Sequence, residues 1–477
     1  MDDKHIVAIE IGSSKIRGAL ALIDSTGVLN ILAVQEERIA ADSVRYGQVK
    51  NTEEVSEKID SICSKLEKIR AIQPRDIVSA YVGLSGYTIG SSLYSETKDF
   101  ESETDINLST ISQLKESIAS RHNSKEIYEF LPYEYLVDNE STLNPVGRVG
   151  RSIKGTFATI EGSPTIKSII NRVFVERLNM QINGYLVSAL AQANMVLTPE
   201  EKQLGCMFVD FGCETTTVLI FKKGVLRYMV TLPMGSRNIT RDLVSLNYLE
   251  EHAESIIRSV GITSASDNAT RLNGQHTIEQ PESNSYISAR AGEIIANVVA
   301  NIEYAGLTPS DLPSGMIIVG GGSRLKGLPE MTASQSNMKV RIGTTPRNIR
   351  ICDASISADD ITDVVALLIA AADRNPVDCL SPVTTPEYPS NEEPTYGGGS
   401  AFDDENGISR IGIDDYDDDD VYDDDEGEYK PIKNPTKSRS EYDPTEPKSG
   451  GLISRIQDRL SKLFSDDEKD RYDNDDE

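Results

Sequence analysis

Short apolar runs separated by glycine turns recur at two places about 200 residues apart. Near the N-terminus, HIVAIEIGSSKIRGALALI reads as a strand, a tight glycine turn and a second strand, followed by polar DSTG and a third apolar run, VLNILAVQ. GCMFVDFGCETTTVLIFKKGVLRYMVTL repeats that scheme as strand, turn, strand, turn and strand. The correspondence reaches individual residues. Glu10-x-Gly12-x-x-Lys15 lines up with Asp210-x-Gly212-x-x-Thr215, and both copies then run into Gly-Val-Leu. The pattern predicts two related α/β halves, each opening with an acidic residue and a glycine hairpin.

A third signal lies in SGMIIVGGGSRLKGLPEM, where an apolar strand, Met316 to Val319, ends in Gly320-Gly321-Gly322-Ser323. Between the second hairpin and this strand the chain is mainly helical. ESIIRSVG and YISARAGEIIANVVANIEYAG carry apolar residues at three- and four-residue spacing and flank a polar segment, Ser264 to Gln280.

Hairpin turns built from Gly and small hydroxyl residues aim several backbone N–H groups at one point, which suits a phosphate. Either hairpin alone is compatible with an ordinary α/β domain; recurrence in both halves suggests two hairpins facing each other across a polyphosphate. A triple glycine at a strand's C-terminal end lets the backbone lie against a flat ligand, and ligands of open α/β sheets bind at that end.

Charge separates the chain into a body and a tail. The net charge is −28, which excludes a nucleic-acid binder relying on bulk basic charge. Residues 391–477 hold 28 acidic and 11 basic side chains. Residues 386–448 read as a disordered acidic linker, extended by self-repulsion, and its 58 residues from Asn391 to Lys448 reach about 42 Å as a flexible coil. The five cysteines, without a CxxC pair, indicate neither a disulfide framework nor a zinc site and fit reduced cytosol. MDDKHIVAIE lacks the features of a signal peptide. The longest uninterrupted apolar run, Val364 to Ala372, is too short to span a bilayer, so any membrane contact is expected to be peripheral.

Beyond the linker, residues 449–465 include GGLISRIQDRLSKLF, and 466–477 form an acidic terminus. At 100° per residue, Leu452, Ile453, Ile456, Leu460, Leu463 and Phe464 fall within one arc of about 120°. Arg455, Arg459 and Lys462 flank that arc, where their heads can meet lipid phosphates. Such a helix usually packs on its own protein body; a long polar spacer before it favours a membrane surface.

The ordered set of two hairpins and a glycine strand end resembles the actin, sugar-kinase and 70-kDa heat-shock ATPase superfamily. Within it the match is to the bacterial FtsA family, supported by INGYLVSALAQANMVLTPEEKQLG, LPYEYLVDNESTLNPVGRVG and the terminal helix. The resemblance implies an α/β, actin-like, two-lobed ATPase fold with an inserted subdomain, followed by a disordered acidic tail and an amphipathic helix. It places subdomain 1A at 1–82 and 166–195, 1C at 83–165, 2A at 196–236 and 305–385, and 2B at 237–304.

The resemblance also implies ATP with Mg²⁺ in the cleft. Gly12, Ser13, Ser14 and Lys15 would hold the β- and γ-phosphates, with Gly212, Cys213, Glu214, Thr215 and Thr216 opposite. Read without it, Lys15 is a solvated strand-edge lysine. Asp210 would be the catalytic carboxylate on magnesium-bound water and Glu10 its counterpart. Glu254 and Arg258 would meet the ribose, and Gly320, Gly321, Gly322 and Ser323 the adenosine. The family's usual Asp is Glu10 here, and one methylene moves a carboxylate by about 1.5 Å. The family's AExxK becomes Ala253-Glu254-Ser255-Ile256-Ile257, with Arg258 one position late. Nucleotide binding with weak or absent hydrolysis is therefore expected.

By the same resemblance the protein polymerises on itself and sits at the division site, on the cytoplasmic face of the cell membrane. It anchors FtsZ by way of the FtsZ C-terminal tail and subdomain 2B, meets anionic lipids through the terminal helix, and recruits later division proteins through 1C. No nucleic acid is expected. The alternative is a small-molecule, sugar-type kinase of the same superfamily, although neither its Asp base nor a sugar pocket is identifiable. A chaperone-type ATPase would carry a β-rich domain after the lobes, where this tail shows no strand periodicity.

Overall fold

A run of Ile, Val and Ala lets Lys4–Ile11 (β1) be buried on both faces from Ile6 onward. It pairs antiparallel with Lys15–Ile23 (β2), which pairs with Leu29–Arg38 (β3), so the predicted hairpin and third run both form. A small ribbon, Val44–Arg45 (β4) and Gln48–Val49 (β5), turns at Tyr46 and Gly47 and leads into Thr52–Glu67 (α1). The Asn51 side chain accepts the Glu54 N–H, satisfying a donor that the first turn of α1 cannot. Val55, Ile59, Ile62 and Leu66 form the buried face of α1, which packs on β2 and β3. Ser79–Leu84 (β6) then returns parallel to β1. The computed structural model describes residues 3–382 except 122–123, 247, 263–279, 347–348, 353–356 and 375. The expected linker, amphipathic helix and acidic terminus, and nearly all of the Ser264 to Gln280 segment, lie outside those residues.

An insertion follows, with Gly90–Asp105 (β7), Leu108–Arg121 (α2), Glu126–Val137 (β8), Glu140–Thr142 (β9) and Val149–Gly162 (β10). It has its own small core, in which Ile111, Leu114 and Ile118 of α2 cluster with Tyr135, Ile153 and Phe157. The chain re-enters the first sheet through Thr165–Asn171 (α3), a π-helical turn at Arg172–Arg177 and Gln181–Val187 (β11), parallel to β6. Ser188–Val196 (α4) and Pro199–Leu204 (α5) then cross to the second half.

The second half opens with Cys206–Phe211 (β12), Thr216–Lys222 (β13) and Val225–Leu232 (β14). Helices Ser236–Val244 (α6), Glu250–Val260 (α7) and Gln280–Tyr304 (α8) come next, and the predicted strand forms at Met316–Val319 (β15). Leu328–Ser336 (α9), Val340–Ile342 (β16), Arg350–Ile351 (β17) and Thr362–Ala372 (α10) complete the described chain.

Among the described residues, β11-β6-β1-β2-β3-β17 form one sheet and β16-β15-β12-β13-β14-β7-β10-β8-β9 another. The inner order is the same in both halves: two parallel strands, then the three-stranded antiparallel unit. The repeated sequence pattern is therefore a repeated topology. The insertion continues the second sheet through one residue pair, Val230 with Gly90, beside which the Met229 N–H donates to Ser91 Oγ at 2.7 Å.

The boundaries expected for the second lobe require correction at their C-terminal end. The expected span 305–385 divides between the halves, because β17 pairs with β3, and α10 packs on β1, β2, β6, β11 and α4 of the first half. The cause is the composition of α10. TDVVALLIAAA is apolar all round, so it requires cover on every side, and Val364, Val365, Leu367 and Leu368 are wholly buried at about 1.5 to 3 kcal/mol each. The first half also holds the chain beyond α10. The Cys379 N–H donates to His5 O, Arg75 bonds Asp378 and Leu380 O, and Leu380 is buried. Among the described residues, no helix is long and apolar enough to cross a membrane.

Candidate functional site

The two hairpin turns are copies of one another. Gly12 N–H donates to Lys15 O at 3.0 Å and Gly212 N–H to Thr215 O at 2.9 Å, closing each four-residue loop the same way. Ser13, Ser14, Cys213 and Glu214 form the bends, and among the described residues their N–H groups have no acceptor. Such open, convergent donors make an anion-binding concavity. The turns also act on one another: burial pushes the Cys213 thiol above its ordinary pKa, opposed in part by the Ser14 side chain of the first turn.

Behind the turns, Glu10 at the end of β1 and Asp210 at the end of β12 line a single cavity with Ser188, Thr215 and Thr217. Helix α4 supports both carboxylates. Ser188 Oγ donates to Glu10 Oε2 at 2.6 Å, and one turn later Gln192 Nε2 donates to Asp210 Oδ2 at 3.1 Å. Burial pushes Glu10 up to about 8 and Asp210 up to about 6, in each case opposed by the hydrogen bond from α4 and reinforced by Asp363. Asp363, in the first turn of α10, is clasped by both oxygens to Arg17 Nη1 at 2.8 and 2.7 Å. Gly83 makes room for the longer acid, because a Cβ there would overlap Glu10 Oε2.

The other predicted residues are distributed around this centre. Lys15 Nζ donates to Glu36 Oε2 at 2.9 Å, and that oxygen also accepts from Arg17. The amide of Glu214 lies in the second turn, while its side chain is enclosed by arginines. Thr216 Oγ1 donates to Met234 O. Glu254 and Arg258 pair with each other at 2.8 Å on α7 and, with Arg38, line a separate groove. Gly320, after β15, has φ +88°, a conformation natural only to glycine, and a Cβ there would overlap Asp210 Oδ1. Gly321, Gly322 and Ser323 form a 3-10 turn in which Ser323 Oγ donates to Gly320 O. The structure thus brings Glu10, Asp210, the two turns and the start of the glycine loop together, with Glu254 close enough to act on the Cys213 thiol.

Sequence reasoning missed Ser188, Gln192, Asp363 and Arg17. A signal existed for the first two, which stand four apart in the otherwise mostly apolar SALAQANMV and so share one helix face. Arg17 and Asp363 are 346 residues apart and have no local signal.

The donor set fits a nucleotide with its metal. Two open N–H turns suit a polyphosphate, and two carboxylates at one cavity suit a hard cation. Among the described residues, no group of three or more His, Cys, Asp or Glu could hold a metal by itself, so phosphate oxygens and water would complete its shell. Asp210 is the better placed carboxylate, because Glu10 is tied to Ser188 and pushed further from ionisation.

The paired sheets, duplicated hairpins and facing carboxylates define an actin-like, two-lobed protein. A solved structure, the PilM-PilN type IV pilus biogenesis complex, shares the fold with a TM-score of 0.57 at 14% identity, covering 77% of this chain and 98% of that chain. The family model described as Cell division protein FtsA matches residues 207–359. Cell division protein FtsA of Porphyromonas gingivalis is 29% identical over 355 residues, covering 72% of each chain. Cell division protein FtsA of Bacillus subtilis is 25% identical over 361 residues, covering 73% of this chain and 80% of its own. Within the actin-like class, the chain is similar to the FtsA cell-division proteins along most of its length.

Proposed function

We propose that this protein is an ATP-binding, actin-like cell-division adaptor that polymerises and tethers the FtsZ ring to the cytoplasmic face of the membrane. The observation that carries the reading is the pair of identical turns, with open N–H groups at Ser13, Ser14, Cys213 and Glu214 beside a cavity lined by Glu10 and Asp210. Relatives named for cell division supply the setting and do not favour the kinase alternative.

In this reading the turns take the triphosphate, Glu254 and Arg258 the ribose, and the Gly320 to Ser323 loop the adenosine. Mg²⁺, when bound, offsets phosphate charge, and Asp210 holds it through water. Subdomain 2B takes the FtsZ C-terminal tail, and the insertion takes later division proteins. The helix from Leu452 to Phe464 meets anionic lipid; a filament presents many such helices at once, so avidity builds without stronger single contacts.

Two measurements on the full chain test this. Calorimetry should detect ATP binding in the presence of Mg²⁺. Liposome co-sedimentation with ATP and Mg²⁺ should pellet the intact protein, but neither a chain ending at Lys448 nor one carrying Ile456→Asp and Leu460→Asp. If all three stay soluble, the membrane role is wrong; if ATP does not bind, the cleft has another ligand.

A further inference from the structure

Glu214 occupies a turn that would hold phosphate, yet its carboxylate points away from the cavity and is completely buried. Oε1 accepts from Arg237 Nη1 at 3.1 Å and from Arg241 Nη2 at 3.0 Å, both on α6 of the second lobe. Oε2 crosses to the first lobe and accepts the Tyr46 N–H at 2.8 Å. Arg45 Nε, buried and without a hydrogen-bond partner, lies 3.6 Å from Oε1. Arg237 Nη1 also reaches Ala41 O of the first lobe at 2.9 Å.

The element that Glu214 grips is the tip of the β4–β5 ribbon. Tyr46 and Gly47 have φ of +51° and +75°, as a two-residue hairpin loop requires, and the left-handed conformation is costly for a tyrosine. The tip also touches the first hairpin, where the Gly47 N–H donates to Ser13 Oγ at 3.4 Å. A strained tip that bonds both turns, one in each lobe, is a bridge between them.

We infer that Glu214 is a positioning residue, whose carboxylate latches the Tyr46–Gly47 tip of the first lobe onto the second hairpin so that filling the cleft and fastening the lobes reinforce each other. The coupling is geometric. The backbone of Glu214 faces the cavity while its side chain holds the tip from the other lobe, and Ser13 Oγ of the first hairpin meets the same tip from within its own lobe. A ligand that draws the two turns together favours the latched state, and by reciprocity the latch raises affinity for that ligand. The ligand's identity, a nucleoside triphosphate, rests on the proposed function; the latch does not.

Hydrogen exchange on the full-length wild type, Glu214→Gln and Arg45→Ala, each with and without ATP and Mg²⁺, tests the inference. Without nucleotide, the Tyr46 amide of Glu214→Gln should exchange about tenfold faster than wild type, as weakening a charged hydrogen bond implies, while β12 and β13 keep their protection. With nucleotide, residues 40–50 should become more protected in wild type and much less so in Glu214→Gln, whose ATP affinity should fall about tenfold. If Glu214→Gln does not fold, Arg45→Ala carries the same comparison, with the same direction at Tyr46. Exchange of residues 40–50 unchanged from wild type in both states overturns the latch. Wild type that binds no ATP overturns the nucleotide reading instead, with the latch still decided by Tyr46 in the unliganded proteins.

Discussion

Ser188 donates its hydroxyl to Glu10 Oε2 at 2.6 Å, in surroundings that push the Glu10 carboxyl from 4.5 up to about 8. Between those values the folded protein keeps a proton that the unfolded chain has lost, so stability falls as pH rises through that window. The change is on the order of a few kcal/mol at most. Glu10→Gln keeps the shape without the charge and should flatten that slope, leaving the variant more stable than wild type above pH 8. Chemical denaturation at pH 5.5 and 8.5 measures it; identical slopes would refute the assignment.

Gly83 and Glu10 are predicted to be energetically coupled. Gly83→Ala places a methyl where Glu10 Oε2 sits and should cost about 1 to 3 kcal/mol, as overpacking does. Shortening the acid by Glu10→Asp relieves the overlap, so the double variant should be less destabilised than the two single changes summed. Additive melting temperatures would mean the two sites do not compete for space.

Arg17 clasps Asp363 and thereby holds α10 on the first sheet. Arg17→Met keeps the apolar stem, removes the fork and leaves Asp363 without it. Breaking a buried pair costs about 3 to 5 kcal/mol, and partial exposure of Asp363 brings the expectation to about 2 to 4. Limited proteolysis should then cut more readily between β16 and α10, at a rate that leaves the insertion's fragments unchanged.

Asp210 and Glu10 are predicted to differ as metal carboxylates. Asp210→Asn should weaken ATP binding in the presence of Mg²⁺ by about tenfold or more and have less effect when Mg²⁺ is chelated, because the lost charge acts on the cation. Glu10→Gln should change metal-dependent binding less. Equal losses in both variants, read by calorimetry, would show that the two acids share the metal.

The strands and turns around the cleft were legible because their signals are local. Short, nearly continuous apolar runs mark β1, β2, β12 and β13, and a glycine turn chemistry read over four residues marks each hairpin. The side chains that support the carboxylates were less legible. Ser188 and Gln192 look like ordinary helix residues until α4 is laid under both hairpins. Glu214, read as one more phosphate contact, proved to have its amide in the turn and its carboxylate elsewhere, a division that residue identity cannot express. Lys15 is bonded to Glu36, a partner 21 residues away.

By itself the sequence determined that the body has two homologous halves, each with a hairpin able to present N–H donors, because hydrophobic period and turn residues act over a few positions and need no knowledge of the rest of the chain. Only the tertiary structure decided that α10 belongs to the first lobe, that Asp363 joins Arg17 beside the two acids, and that Glu214 fastens Tyr46. Those outcomes depend on which buried face or charge finds its complement after the chain has returned across hundreds of residues. Burial is non-directional, so a helix apolar on all sides, such as TDVVALLIAAA, states that it must be covered without stating by which lobe.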